Sequence, residues 1–118
     1  MNFQDAHTLE ERLKLARKLA ERFHERAEGI DREGSFPYEN ITELRESGYT
    51  SLTLPRLYGG QEISLYEMVR LQETLATGDG STALAIGWHV GTMKNLSEKN
   101  SWSEPVFRML CEDVLQRG

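Results

Sequence analysis

The apolar positions Leu9, Leu13, Ala16, Ala20, Phe23, Ala27 and Ile30 recur in alternating steps of four and three. An α-helix turns once in about 3.6 residues, so these side chains form one continuous stripe. A strand would scatter them over two faces. A helix with such a stripe draws most of its stability from whatever covers the stripe, so the chain must supply partners for it. Thr8 and Glu11 stand at the Thr-x-x-Glu spacing of a capping box, in which each side chain satisfies an orphan N–H at the helix start. Gly29 predicts the end, because glycine takes the left-handed closing conformation most easily. About three heptads that stop at a glycine read as one helix of a packed bundle rather than a long coiled coil.

The partners read as helices too. Pro37 suits a first turn, where its missing N–H leaves no gap, and a short helix to Ser47 puts Tyr38, Ile41 and Leu44 on one face before Gly48. Thr50 to Leu54 alternates with period two until Pro55; with no second strand-like run to pair with it, the segment is expected to be an extended connector. Ser64 and Glu67 repeat the capping-box spacing and open a helix with Leu65, Met68, Val69, Leu75 and Ala76 inward. Gly78-Asp79-Gly80 breaks the chain, and Asp79 can cap a helix over roughly Ser81 to Glu98. Ser101 to Pro105 starts a last helix, with Val106, Phe107, Leu110, Val114 and Leu115 buried. The expected fold is all-α: about five helices in an irregular bundle with one extended, loop-rich connector, forming a single domain over 1–118.

Composition narrows the function. Fourteen Lys+Arg against 19 Asp+Glu leave a net charge of −5 with no basic stripe, which argues against nucleic acid as a partner. Cys111 is the single cysteine, so no internal disulfide and no cysteine-based zinc site can form. The longest uninterrupted apolar run, Ala83 to Ile86, falls far short of a membrane span, and Met1 to Asp5 lacks the basic start of a signal peptide. A cytoplasmic protein with no membrane partner is expected.

The helix opened by Asp79 carries the candidate site. Ala83, Gly87 and Gly91 form a small-residue stripe at i, i+4 and i+8, and each helical glycine costs about 1 kcal/mol relative to alanine. Bare backbone admits either a neighbouring helix or a flat or elongated ligand. His89 is a lone titrating group on this helix, and no carboxylate stands at a metal-ligand spacing from it, so no metal is expected. Asp31, Glu33, Glu10, Glu11, Glu21, Glu25 and Glu28 read as a solvated face, with Glu10 and Lys14 as an i,i+4 pair. Cys111 reads as an inert buried thiol. Tyr58-Gly59-Gly60 could form a turn or a backbone nest for an anion. No nucleophile elbow, phosphate loop or dinucleotide fingerprint occurs, and no catalytic residue is assigned.

One ordered series goes further. Asp31-Arg32-Glu33-Gly34-Ser35-Phe36-Pro37 is followed by Leu44-x-x-x-Gly48-Tyr49 and by Leu54-Pro55-x-x-Tyr58-Gly59-Gly60. Ser64, Glu73-Thr74-Leu75-Ala76 and Gly80-Ser81-Thr82-Ala83 continue it. The series resembles the N-terminal helical domain of the acyl-CoA dehydrogenase family of flavoproteins, over about Leu15 to Gly118. The resemblance implies an enzyme with a further β-domain and a C-terminal helical bundle, oxidising the α,β bond of an acyl-CoA thioester with FAD. It places the glutamate base and most flavin contacts in those other domains, so the isolated chain is expected to be inactive and to bind no FAD. It also implies that Ile86, Gly87 and Val90 line the far end of the acyl-chain pocket, with His89 beside them as a substrate-binding position, and that the enzyme is a homo-oligomer. Glu62 stands where the family often has glycine. A histidine on this helix resembles the flavin-dependent monooxygenases that share the fold. A stand-alone helical interaction module is the third reading.

Overall fold

The structure, a computed structural model, describes residues 2–34, 36–99 and 104–117. Five helices occur among them: α1 (Leu9–Glu33), α2 (Tyr38–Glu46), α3 (Leu65–Ala76), α4 (Gly80–Lys99) and α5 (Glu104–Arg117). Tight 3-10 turns at Phe3–Asp5, Tyr49–Ser51 and Arg56–Tyr58 complete the order. No strand is present among the described residues. The all-α expectation holds.

Long α1 is the platform. Its stripe buries Leu13, Ala16, Ala20 and Phe23, together with Leu19, against Leu71 and Leu75 of α3 and Leu44 of α2. Each fully buried Leu or Phe contributes roughly 1.5–3 kcal/mol. Gly78 lets the end of α3 close on α1, since a Cβ there would collide with the Ala20 carbonyl. α1 does not stop at Gly29. It runs another turn to Glu33 and closes at Gly34, whose φ is +65°. Gly29 has open space around it, so the glycine is tolerated inside the helix rather than used to end it. The i,i+4 ion pair that forms on this helix is Glu28–Arg32 at 3.0 Å, not Glu10–Lys14. The acidic residues Glu10, Glu11, Glu21, Glu25, Glu28 and Glu33 are exposed; the Asp31 side chain lies outside the described residues.

The Thr50–Leu54 segment differs from the expected extended connector. It begins as a tight turn and is buried throughout. Leu52 enters the first core cluster and Leu54 a second, formed with Met93 and Leu96 of α4 and Phe107, Cys111 and Val114 of α5. The period-two pattern reflects a segment threaded between two cores. Its backbone is satisfied by the returning chain: Glu62 N donates to Leu54 O at 2.9 Å and Ile63 N to Leu52 O at 3.1 Å.

α3 is turned from its expected phase, and α5 keeps its phase, with Leu110 packed on the second core, but buries a narrower face than expected. On α3, Leu71 and Leu75 are buried while Leu65, Val69 and Ala76 face solvent. On α5, Phe107 and Val114 are buried, but Val106 and Leu115 are exposed. Tyr38 of α2 is likewise exposed. The expected start of the last helix at Ser101 to Ser103 lies outside the described residues.

Candidate functional site

Asp79 builds the start of α4. Its Oδ1 accepts from Ser81 N at 3.3 Å, its Oδ2 from the Thr82 hydroxyl at 2.5 Å, and its carbonyl from Ala83 N at 3.2 Å. Buried Asn40 of α2 adds a third element. Its amide donates to Thr82 Oγ1 at 3.0 Å, and its carbonyl accepts from Arg26 of α1 at 2.9 Å. The helix is therefore seated by side chains from α1 and α2 before its apolar faces contribute.

Those faces point two ways. Ile86 and Val90 are buried in the main core. Beside them, Gly80, Gly87 and Gly91 line an open groove of about 660 Å³ between α3 and α4, with Ala83 at the border, buried in the core and touching the groove. Gln72, Glu73 and Ala76 form its α3 side, and Leu84 and Trp88 stand on α4 at 68% and 75% exposure. Most of the lining surface is apolar, with Gln72, Glu73, Thr92 and Asn95 as its polar members. The four positions expected to touch an acyl chain thus do not share one face: Gly87 opens on the groove, Ile86 and Val90 pack inward, and His89 lies half-buried on another side.

The gap at Gly87 already has an occupant. A Cβ there would lie 2.8 Å from Gln72 Nε2, because the Gln72 carboxamide crosses the helix at this point. Its Nε2 donates to Ala83 O at 2.9 Å, and its Oε1 accepts from the Tyr49 hydroxyl at 2.7 Å. Burial pushes the Tyr49 hydroxyl far above the ordinary tyrosine range, so it remains a donor. His89 makes a related contact. Its Nε2 lies 2.8 Å from Thr50 O, and a carbonyl can only accept, so this nitrogen carries the proton. Gln72 is not singled out by the sequence, and Tyr49 enters there only within the Leu44-x-x-x-Gly48-Tyr49 run, without a partner. The available signal was Gly87 itself, a glycine inside a helix whose missing side chain leaves room for a neighbour.

Other candidates resolve differently. Among the described residues no cluster of His, Cys, Asp and Glu could hold a metal. The amides of Gly59 and Gly60 donate to Arg56 O and Pro55 O, which makes this segment a closed turn rather than an anion nest. Cys111 is fully buried and burial raises its thiol pKa, as expected for an inert thiol. Among the described residues no helix is long and apolar enough to cross a membrane.

Comparison with known proteins adds identity to this geometry. The family model for the acyl-CoA dehydrogenase N-terminal domain matches residues 7–100. YdbM of Bacillus subtilis (strain 168), a protein named for the acyl-CoA dehydrogenases, is 47% identical over 97 residues, which are 82% of this chain and 26% of that protein. SfnC of Pseudomonas putida, whose name describes an FMNH2-dependent monooxygenase, is 32% identical over 93 residues, 76% of this chain and 24% of its own. A dibenzothiophene monooxygenase of Rhodococcus erythropolis is 34% identical over 76 residues, 64% of this chain and 18% of its own. The chain spans about a quarter or less of each relative. A match over most of the chain, carried by the same helices that build the groove, shows that this chain belongs to the acyl-CoA dehydrogenase N-terminal domain family.

Proposed function

We propose that the chain is the first domain of an FAD-dependent acyl-CoA dehydrogenase that oxidises the α,β bond of an acyl-CoA thioester. The observation that carries this reading is the 47% identity to the Bacillus subtilis relative across 82% of the chain. The family and its relatives imply a flavin, with FAD the form proposed here. The residues of the groove do not themselves suit it. A dinucleotide pyrophosphate needs cations or clustered backbone N–H groups, and among the described residues the one charged side chain lining the groove is Glu73. No step through the flavin is therefore assigned to this domain. Its contribution is a wall: α4 presents apolar surface at the groove, with Gly87 and His89 partly accessible and Ile86 and Val90 supporting them from the core. The enzyme is proposed to be homo-oligomeric and cytoplasmic; exposed Leu84 and Trp88 offer apolar surface for subunit contacts.

A second reading is favoured by two observations together. Relatives named as monooxygenases match over most of this chain, and α4 carries the half-buried His89. In that reading no CoA ester is consumed.

The product of the complete reading frame containing this chain tests both. Anaerobic bleaching of flavin absorbance by a panel of acyl-CoA esters is the expected result. Oxygen consumption with reduced flavin, and no response to any ester, replaces it with the monooxygenase reading, for which His89→Ala is the informative variant. A reading frame that ends here, with no flavin bound, leaves a stand-alone helical module.

A further inference from the structure

Three hydrogen bonds and two stretches of backbone form a closed circuit through the centre of the domain. Gln72 on α3 donates to Ala83 O on α4 at 2.9 Å. Less than two turns along α4, His89 donates to Thr50 O at 2.8 Å. The residue before Thr50 is Tyr49, whose hydroxyl returns to Gln72 at 2.7 Å. Every link joins a different pair among α3, α4 and the Tyr49–Ser51 turn.

The Ala83 carbonyl is an unusual acceptor, because it lies within α4. A carbonyl has two lone pairs, so it can accept from a side chain as well as from the helix backbone, provided the donor can approach from the side. At this point the approach runs over residue 87. A Cβ there would sit 2.8 Å from the Gln72 nitrogen, so the absence of a side chain at Gly87 is what lets the carboxamide reach the backbone. Gly91 has nothing within 4 Å of its missing Cβ. The two glycines therefore differ in kind.

We infer that Gln72 is a positioning residue for His89, with Gly87 as its seat. The carboxamide fixes α4 against α3 at Ala83 and fixes the Tyr49–Ser51 turn through the tyrosine hydroxyl. Together these place Thr50 O where the imidazole Nε2–H meets it. The imidazole is thereby held in its Nε2-protonated tautomer when neutral, with Nδ1 as its remaining acceptor. Any role of His89 toward a ligand rests on the functional reading above; the positioning by Gln72 does not.

The test uses the 118-residue chain and reads the imidazole directly. Two-bond 15N–1H spectra of His89 at a pH where the ring is neutral are expected to show one tautomer, protonated at Nε2. Gln72→Met keeps the side-chain length and removes both polar ends; it is expected to turn this pattern into a tautomer mixture while helical circular dichroism is retained. Tyr49→Phe removes one link and is expected to give a smaller shift in the same direction. Gly87→Ala tests the seat without touching any hydrogen-bonding group: the Gln72 side-chain amide protons should lose their slow exchange with water. A His89 pattern unchanged in Gln72→Met overturns the inference. Should that variant not fold, an unchanged pattern in Gly87→Ala, with Gln72 amide exchange also unchanged, overturns it equally. Because no activity is read, failure here leaves the flavoenzyme reading standing, and the reverse holds.

Discussion

Arg12 donates through Nη1 to Glu67 at 2.7 Å, and this pairing draws Glu67 away from capping its own helix. Ser64 accepts from Glu67 N at 3.1 Å, so half of the capping box forms. The carboxylate that would complete it is turned toward α1 instead. Arg12 is almost fully buried and uses its other nitrogens on Gln61 Oε1, at 3.0 Å through Nε and 2.8 Å through Nη2. Gln61 in turn donates to Phe3 O. One guanidinium thus ties together α1, α3, the loop before α3 and the N-terminal turn. Removing one partner of a buried pair leaves the other charge poorly solvated, so Arg12→Met should destabilise the chain by about 3 kcal/mol. Thermal unfolding should show a Tm lower by roughly 10 °C. Arg12→Met/Glu67→Met together should recover part of the loss, and a single-variant change within experimental error would refute the assignment.

Glu43 supplies the pH dependence. Partial burial alone would raise its pKa, but hydrogen bonds and charge from Arg22 and Arg26 outweigh it and hold the carboxyl below its ordinary value of 4.5. The Arg22 contact is 2.5 Å, and Arg26 also reaches Glu39 at 3.4 Å and Asn40. The folded pKa lies below the unfolded one. The contribution is therefore fully present above the unfolded value and disappears as pH falls through the lowered folded value. Glu43→Gln should cost about 1 kcal/mol at neutral pH. Urea unfolding across pH should show this gap shrinking below pH 4.5; a constant gap down to strongly acidic pH would contradict the argument.

These two networks mark the boundary of what can be read from the chain as a string. Thr8, Ser64 and Asp79 were legible as caps, and Gly48 as a stop, because each acts on backbone within a few residues. Thr8 Oγ1 accepts from Glu11 N at 3.1 Å, and Gly48 sits at φ +85°. The stripe of α1 was legible because it repeats over many turns. The phase of α3 was not. Leu65 and Val69 look as apolar as Leu71 and Leu75, and only the position of α1 decides which pair is covered. Burying Arg12 requires Glu67, 55 residues away, and seating Gln72 requires Tyr49 and Ala83. In the site, the stripe of small residues was visible. Its division into an open half at Gly91 and a filled half at Gly87 depends on a side chain from another helix.

Glu62 adopts φ +52°, the one left-handed non-glycine residue among those described. That conformation costs a side-chain-bearing residue roughly 1 kcal/mol or more. It is held by the loop closing between Leu54 and Ile63, where Glu62 N bonds Leu54 O. The side chain returns something by accepting from Arg56 N at 3.3 Å, a long and exposed contact. Glu62→Gly should therefore raise the Tm by a few degrees. Glu62→Ala keeps the strained backbone and loses the contact, so it should lower the Tm. The opposite order of the two variants would show that the carboxylate matters more than the backbone.

Thr53 is fully buried, and its hydroxyl makes no hydrogen bond with the described residues. A buried hydroxyl without a partner costs about 1–3 kcal/mol of desolvation. Valine has nearly the same shape, so Thr53→Val should stabilise the chain by about 1 kcal/mol or more without repacking its neighbours. Chemical denaturation should show a higher midpoint at an unchanged slope. A lower midpoint would mean that a bound water or another group satisfies the hydroxyl.

Gly87 and Gly91 stand one turn apart on the same stripe, and their alanine variants should move stability in different ways. Helix propensity alone favours alanine by about 1 kcal/mol at either position. At Gly91 the added methyl meets nothing within 4 Å and projects into the open groove. Gly91→Ala should therefore gain nearly the full amount and raise the Tm by several degrees. At Gly87 the methyl displaces Gln72 Nε2 from 2.8 Å, breaking the bond to Ala83 O and loosening the bond from Tyr49. Losing a partly buried hydrogen bond costs about 1 kcal/mol, so Gly87→Ala should show no net gain. In a Gln72→Ala background that penalty is gone, and the same substitution should now stabilise the chain. Equal shifts for both glycines in the wild-type background, measured by thermal unfolding, would mean that Gln72 yields freely and that the stripe is uniform along its length.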